Sequence, residues 1–208
     1  MPILDEIKNA LADLNEDLAL QLVRNALAAK VPAFDLLRAC QDGMTEVGRR
    51  FECQEYFVSD LMMSGEIFKQ ISSILEPELK SGGARSAGKI VFGTVKGDIH
   101  DIGKDIVVNM LKSANFEVID LGVDVPPEKF IAALKESGAK VLGMSGLLTL
   151  AFDSMKRTVQ ELESAGMRQA VKVMIGGGPV DANVCRMVGA DNWGADAQHA
   201  VRLAKGWI

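Results

Sequence analysis

Residues Gly97-Asp98-Ile99-His100-Asp101-Ile102-Gly103-Lys104-Asp105 lie between two apolar runs, Ile90-Val91-Phe92-Gly93-Thr94-Val95 before them and Ile106-Val107-Val108-Asn109-Met110-Leu111 after. The first run has the length of a buried strand and is closed by glycine and acids; the second has helical spacing. The stretch between is a strand-to-helix loop, and in open parallel α/β sheets such loops, at the carboxyl ends of strands, are where ligands sit. This loop offers an imidazole with a carboxylate two residues before it. A carboxylate behind a histidine fixes its tautomer and raises its basicity as a metal ligand, so His100 is a candidate metal ligand and Asp98 its tuning partner. A phosphate loop would need Gly, four residues, then Gly-Lys and a hydroxyl residue. Here five residues separate Gly97 from Gly103, and Asp105 stands where the hydroxyl should be. Nucleotide binding is disfavoured, and the remaining alternative is a capping turn whose acids suit a helix N-terminus.

The rest of the chain limits how a metal could be held. Its histidines are His100 and His199, and its cysteines, Cys40, Cys53 and Cys185, are odd in number and form no CxxC pair. That argues against a disulfide framework and a structural zinc site, and a multi-histidine centre is excluded. A metal at His100 must draw most of its coordination from something other than protein. The net charge of -5 comes without a basic cluster, so a nucleic-acid partner lacks its electrostatic footprint. No basic region leads into an apolar segment at the N-terminus and no run reaches the length of a membrane span, which predicts a cytoplasmic protein. With 208 residues, 48% hydrophobic, the chain can build one large domain or two small ones.

Residues 4–79 read as four helices. Leu4, Ile7, Leu11 and Leu14 share one face; Asn15 caps a second helix carrying Leu18, Leu22, Ala26 and Leu27. Pro32 opens a third, with Leu36, Leu37, Cys40, Met44 and Val47 inward, and a fourth runs from Ser59-Asp60 to Pro77. Four amphipathic helices with short connections make a bundle. Phe51, Tyr56 and Phe57, three of the chain's nine Phe and Tyr residues, crowd the junction between the last two helices. They either plug the bundle end or cover something.

Ser81 to Gly88 has linker composition. Beyond it strands at 89–95, 117–121, 141–145, 171–176 and, weakly, 188–192 alternate with helices, the last over Ala195 to Lys205. This predicts a helical cap domain over 1–80, a linker over 81–88, and over 89–208 a flavodoxin- or Rossmann-like, doubly wound, five-stranded parallel sheet. The loops after the first, third and fourth strands then converge. The latter two, Gly143-Met144-Ser145-Gly146-Leu147-Leu148-Thr149 and Gly176-Gly177-Gly178-Pro179, are stripped of side chains, which suits close approach by something bulky. Ser145 is read either as a hydroxyl inside that slot or as a helix cap.

Asp98-x-His100-x-x-Gly103, then Ser145-x-Leu147, then Gly176-Gly177, with 41 and 28 residues in the two intervals, resembles the three-part signature of cobalamin-binding domains that hold the cofactor base-off with histidine on cobalt. A helical domain with a Glu-Tyr-Phe junction ahead of such a module resembles the small corrinoid proteins of methyltransferase systems and the cobalamin region of methionine synthase.

The resemblance implies that His100 replaces the cofactor's dimethylbenzimidazole as lower cobalt ligand, the corrin supplying four nitrogens. Asp98 would accept from the far nitrogen of His100. The freed nucleotide tail would enter a slot lined by Ser145, Leu147, Thr149, Gly176, Gly177 and Gly178, with Asp101, Ile102 and Gly103 completing the cofactor site. Where methionine synthase extends the relay with a serine, this chain has Ala151, and Thr149 is the available substitute. Tyr56, Phe57, Leu61 and Met62 would cover the upper face. The implied function is a methyl carrier, inactive alone, binding cobalamin as methylcobalamin or Co(I) corrinoid. Its partners would be a donor-specific methyltransferase, an acceptor methyltransferase using a folate or thiol, and a reductive activator, in an anaerobic host. The donor stays open among methylamines, quaternary amines, methanol and aryl methyl ethers. Two rivals share the loops: the cobalamin domain of an adenosylcobalamin-dependent mutase, which needs a barrel partner, and a cobalamin-based sensor, which needs a DNA-binding region.

Overall fold

The computed structural model describes residues 2–82 and 86–208. The chain divides into two compact units, Met1–Arg85 and Ser86–Ile208.

The first unit is four helices, α1 (Pro2–Ala12), α2 (Glu16–Ala28), α3 (Ala33–Glu52) and α4 (Val58–Gly82), with α1 packed on α2 and α3, and α3 on α4. Their apolar faces meet in a core of Ile7, Leu11, Val23, Leu36, Met44, Ile67, Ile71 and Leu75. The Asn15 side chain accepts from the Leu18 N–H, capping α2 as expected, yet the inward face of that helix is Ala19, Val23 and Ala26, and Leu18 is exposed. Leu14 lies beyond α1 with a positive φ of 57°. Two expectations about α4 need correction. The helix starts at Val58, where the Asp60 carboxylate reaches back to the Phe57 N–H at 2.7 Å in half of a capping box. It also continues through Pro77 to Gly82, because a missing N–H removes one rung and does not stop a helix already propagated over five turns.

The second unit holds β1 (Gly88–Thr94), α5 (Ile102–Ser113), β2 (Phe116–Asp120), α6 (Pro127–Ser137), β3 (Val141–Ser145), α7 (Ala151–Ser164), β4 (Lys172–Gly176), α8 (Ala182–Val188), β5 (Asn192–Gly194) and α9 (Ala197–Trp207). All pairings are parallel, in the order β2-β1-β3-β4-β5, the flavodoxin-like arrangement whose ligands sit where the winding reverses, between β1 and β3. Helices α5 and α9 pack together, as do α6, α7 and α8, giving the sheet a helical layer on each face. Four strands fall where the apolar runs placed them. The fifth sits at 192–194 rather than 188–192, because Gly189 ends α8 in the left-handed region (φ 82°) and the chain turns there before extending. Of the expected linker, Ser81 and Gly82 belong to α4 and Gly88 to β1, while residues 83–85 lie outside the described residues.

Strand register sets the edge that matters. Thr94, Ser145, Gly176 and Gly194 pair in one row across β1, β3, β4 and β5 at their carboxyl ends. Gly143, two residues back on β3, is paired with Phe92, whose ring covers the place where a Cβ would stand. Its missing side chain is therefore explained by packing on β1 and not by a ligand.

Candidate functional site

The loop after β1 is laced down on both sides before it reaches His100. Asp124, at a positive φ of 52°, accepts through one oxygen from the Gly97 N–H at 2.8 Å and through the other from Lys96 Nζ at 3.0 Å, and its own N–H donates to the Asp98 carbonyl. The bond from the Gly97 amide, then that from Lys96, lowers the Asp124 carboxyl below its ordinary range. From the opposite side Ser154 of α7 donates to the Lys96 carbonyl at 2.8 Å.

Asp98, buried at 1% exposure, divides its two oxygens between two loops. Oδ1 accepts from the His100 N–H at 3.0 Å and lies 2.7 Å from His100 Nδ1; Oδ2 accepts from the N–H groups of Leu147 and Leu148 at 2.6 and 3.0 Å. Burial works to raise this carboxyl, but the bonds from Leu148, His100 and Leu147 outweigh it and hold the pKa down at about 2. An ionised carboxylate only accepts, so the proton between the pair resides on Nδ1, and Nε2 is the nitrogen left facing away from the carboxylate. The imidazole is 50% exposed and Nε2 bonds no described residue. The arrangement expected from the Asp-x-His spacing is present.

The relay is short, as Ala151 in place of a serine implied, and Thr149 does not extend it. Ala151, first residue of α7, is buried, its methyl against Gly146, and Thr149 is exposed with its hydroxyl bonded to no described residue. Two main-chain amides cap the carboxylate instead, and amides do not titrate. The capping reading holds only in part: Asp101 sits at the N-cap of α5 and Asp105 puts an acid in its first turn, but Asp101 makes no side-chain cap, and its carbonyl accepts from the Asp105 N–H.

Around His100 the loops expose Ile99, Ile102, Leu147, Leu148 and Leu150, more large apolar surface than loops of a free-standing domain ordinarily show. Gly103, in the first turn of α5, has open space where a side chain would stand, so no internal packing requires a glycine there. Ser145 ends β3 half-buried, and its hydroxyl bonds no described residue. Gly176 has ordinary clearance, and Gly178 faces the end of the Leu147 side chain. Gly177 differs: at φ 137° its Cα lies against the Gly146 main chain, and any Cβ would collide with the Gly146 carbonyl.

Two residues in this region escaped the sequence reading. Lys104 follows Gly103 as a phosphate-loop lysine would, yet its buried ammonium bridges Asp105 and Asp120, both at 2.5 Å, joining α5 to the end of β2. Thr94, inside an apolar run with nothing to mark it, is fully buried and donates through Oγ1 to the His100 carbonyl at 3.0 Å.

In the helical unit Tyr56 is half-buried. Its hydroxyl donates to the Ala12 carbonyl and accepts from Arg50, both at 2.8 Å, and the Arg50 guanidinium lies 5.3 Å from its ring centre. Leu61 is 4% exposed inside the bundle, whereas Phe57 and Met62 are 69% and 49% exposed. Of the four expected cover residues, two are engaged within the bundle and two present apolar surface to solvent.

Among the described residues no cluster of three or more His, Cys, Asp or Glu could hold a metal. A single oriented imidazole among exposed apolar side chains fits a metal that arrives with its other ligands. A family model described as B12 binding domain matches residues 88–202, and a second with the same description matches residues 3–76. The chain is 40% identical to a corrinoid protein of Desulfitobacterium hafniense, over 98% of this chain and 96% of that one. It is 36% identical to a trimethylamine corrinoid protein of Methanosarcina acetivorans, over 96% and 94%. Among solved structures it is similar to a cobalamin-binding protein from Desulfitobacterium hafniense (TM-score 0.84, 41% identity, 99% and 98% covered). It is also similar to the methanol:cobalamin methyltransferase complex MtaBC from Methanosarcina barkeri (TM-score 0.85, 26% identity, 99% of this chain and 79% of that one).

Proposed function

The chain belongs to the B12-binding family of corrinoid proteins, and on that premise we propose that it is a methyl carrier that holds cobalamin base-off with His100 as the lower ligand. Bound corrinoid supplies a cobalt centre that takes up and gives back a methyl group. The chain's part is to hold and orient that centre. Asp98 keeps the proton on Nδ1 of His100, so that Nε2 is offered to the metal. Asp101, Ile102 and Gly103 form the floor beside it, while Ser145, Leu147, Thr149, Gly176, Gly177 and Gly178 line the path for the nucleotide tail. Phe57 and Met62 supply an apolar cover that excludes water from the upper face.

The partners in this reading are a donor-specific methyltransferase, an acceptor methyltransferase working on a folate or thiol, and a reductive activator, all in the cytoplasm of an anaerobe. Similarity to a trimethylamine corrinoid protein favours a methylated amine as donor. The observation that carries the proposal is the half-exposed imidazole fixed by a buried carboxylate, with Nε2 unbonded among exposed apolar loop residues. Protein reconstituted with hydroxocobalamin should give a base-off, histidine-on spectrum, and His100→Ala should lose the histidine signature. A spectrum unchanged in the variant would overturn the assignment.

A further inference from the structure

We infer that Thr94 is a positioning residue for the cobalt ligand, holding the main chain of His100 in place as Asp98 holds its ring. The inference rests on His100 being that ligand. A threonine at a strand end can be there for β-propensity alone, its hydroxyl merely finding some acceptor because a buried one must. The geometry here is more particular. Thr94 is locked at the last rung of β1: its N–H donates to the Gly122 carbonyl at 2.9 Å, its carbonyl accepts from the Val125 N–H at 3.0 Å, and it pairs with Ser145 of β3. Its Oγ1 is thus a fixed point on the sheet, fully buried, and its acceptor is the carbonyl of His100, six residues on in the loop.

Among the described residues, every other hydrogen bond of His100 runs to one oxygen of Asp98, which is itself a loop residue. Asp98 stays anchored by the Leu147, Leu148 and Asp124 amides, so without the Thr94 bond His100 would hang from that one carboxylate oxygen, and its main chain could shift and tilt about it. An axial ligand must reach the metal with its lone pair aligned, so such drift is felt at the metal rather than in the fold. Valine has the same shape and β-propensity, so strand and packing demands alone would be met without a buried hydroxyl.

The test compares Thr94→Val, Thr94→Ser and His100→Ala, each loaded with hydroxocobalamin and reduced to Co(II). Two quantities are read: the nitrogen splitting of the cobalt paramagnetic resonance signal in protein labelled with 15N-histidine, and the rate at which cobalamin is lost. Wild type should show splitting from one protein nitrogen, and His100→Ala none. Thr94→Val should keep its circular dichroism, lose most of the split signal and hold cobalamin about tenfold less tightly, the usual scale for partners behind a metal ligand; Thr94→Ser should return both toward wild type. A merely structural threonine would not change the splitting in molecules that still bind. Thr94→Val matching wild type in both quantities would overturn the inference and leave the ligand assignment standing. Absence of splitting in wild type would overturn the assignment and the inference together. If valine prevents folding, Thr94→Ala is read against the same two outcomes.

Discussion

Gly177 lies so close to Gly146 that a single carbon added to its Cα would strike the Gly146 carbonyl oxygen. The bareness of the loop after β4 is thus required, at this position, by the neighbouring loop itself. Combined with a φ of 137°, this predicts that Gly177→Ala destabilises the cofactor-free chain by about 1–3 kcal/mol in urea unfolding. An unchanged midpoint would contradict the close approach. It follows that lost cobalamin binding in a bulky Gly177 variant does not by itself demonstrate a tail slot.

Gly103 provides the cleaner probe, because nothing in the chain fills the space beside it. Gly103→Ala should stabilise the apo protein by up to about 1 kcal/mol, since glycine is a poor helix former. Gly103→Leu should fold equally well and retain hydroxocobalamin poorly. Full retention by the leucine variant would remove the corrin from this face of α5.

Asp98→Ala should disturb two loops at once. It leaves the N–H groups of Leu147, Leu148 and His100 without their acceptor, at a cost of about 2 kcal/mol in apo stability. Amide exchange at Leu147 and Leu148 should accelerate in the absence of any cofactor. Protection equal to wild type would mean that the carboxylate does not hold the β3–α7 loop.

Asp191 anchors the opposite end of the sheet and should affect stability without affecting the site. It accepts from Arg168 at 2.9 Å, Lys172 at 3.3 Å and the Val173 N–H at 2.8 Å. Burial pushes its carboxyl up, but the Val173 and Arg168 bonds push harder and hold it below the ordinary value. A depressed carboxyl contributes stability that is complete above its unfolded pKa, near 4, and is lost as the pH falls through the folded value. Asp191→Asn should therefore be about 2 kcal/mol less stable than wild type at pH 7, with the gap closing below pH 4 and cobalamin binding unaltered. A pH-independent gap would count against the ion pair as its source.

The helical unit offers a contrast between neighbours. Leu61→Ala should cost about 2–4 kcal/mol because it opens a cavity in the bundle. Phe57→Ala and Met62→Ala, at exposed positions, should stay within about 0.5 kcal/mol of wild type. Combined, the exposed pair should hasten loss of the reduced-cobalt spectrum in air. Equal air sensitivity would end their assignment as cover.

What a reader of the chain alone can recover is whatever local periodicity and spacing carry: the four helices, strands β1 to β4, the Asn15 cap, and the Asp98–His100 pair, whose partners are two residues apart. Each of these depends on residues near one another in sequence. The features that only tertiary structure decided depend on distant ones. Gly143 answers to Phe92, Gly177 to Gly146, and the second oxygen of Asp98 to amides some fifty residues away. Thr94 looks like any member of an apolar strand until the loop folds back over its hydroxyl. The same holds for Leu61 and Met62, adjacent in sequence and apolar alike, one buried and one exposed. Composition and spacing determine which elements form and which imidazole carries a carboxylate. Which face of an element is covered, and which backbone groups meet across loops, is settled only when the elements pack, because those contacts are set by volume and hydrogen-bond geometry that no local pattern encodes.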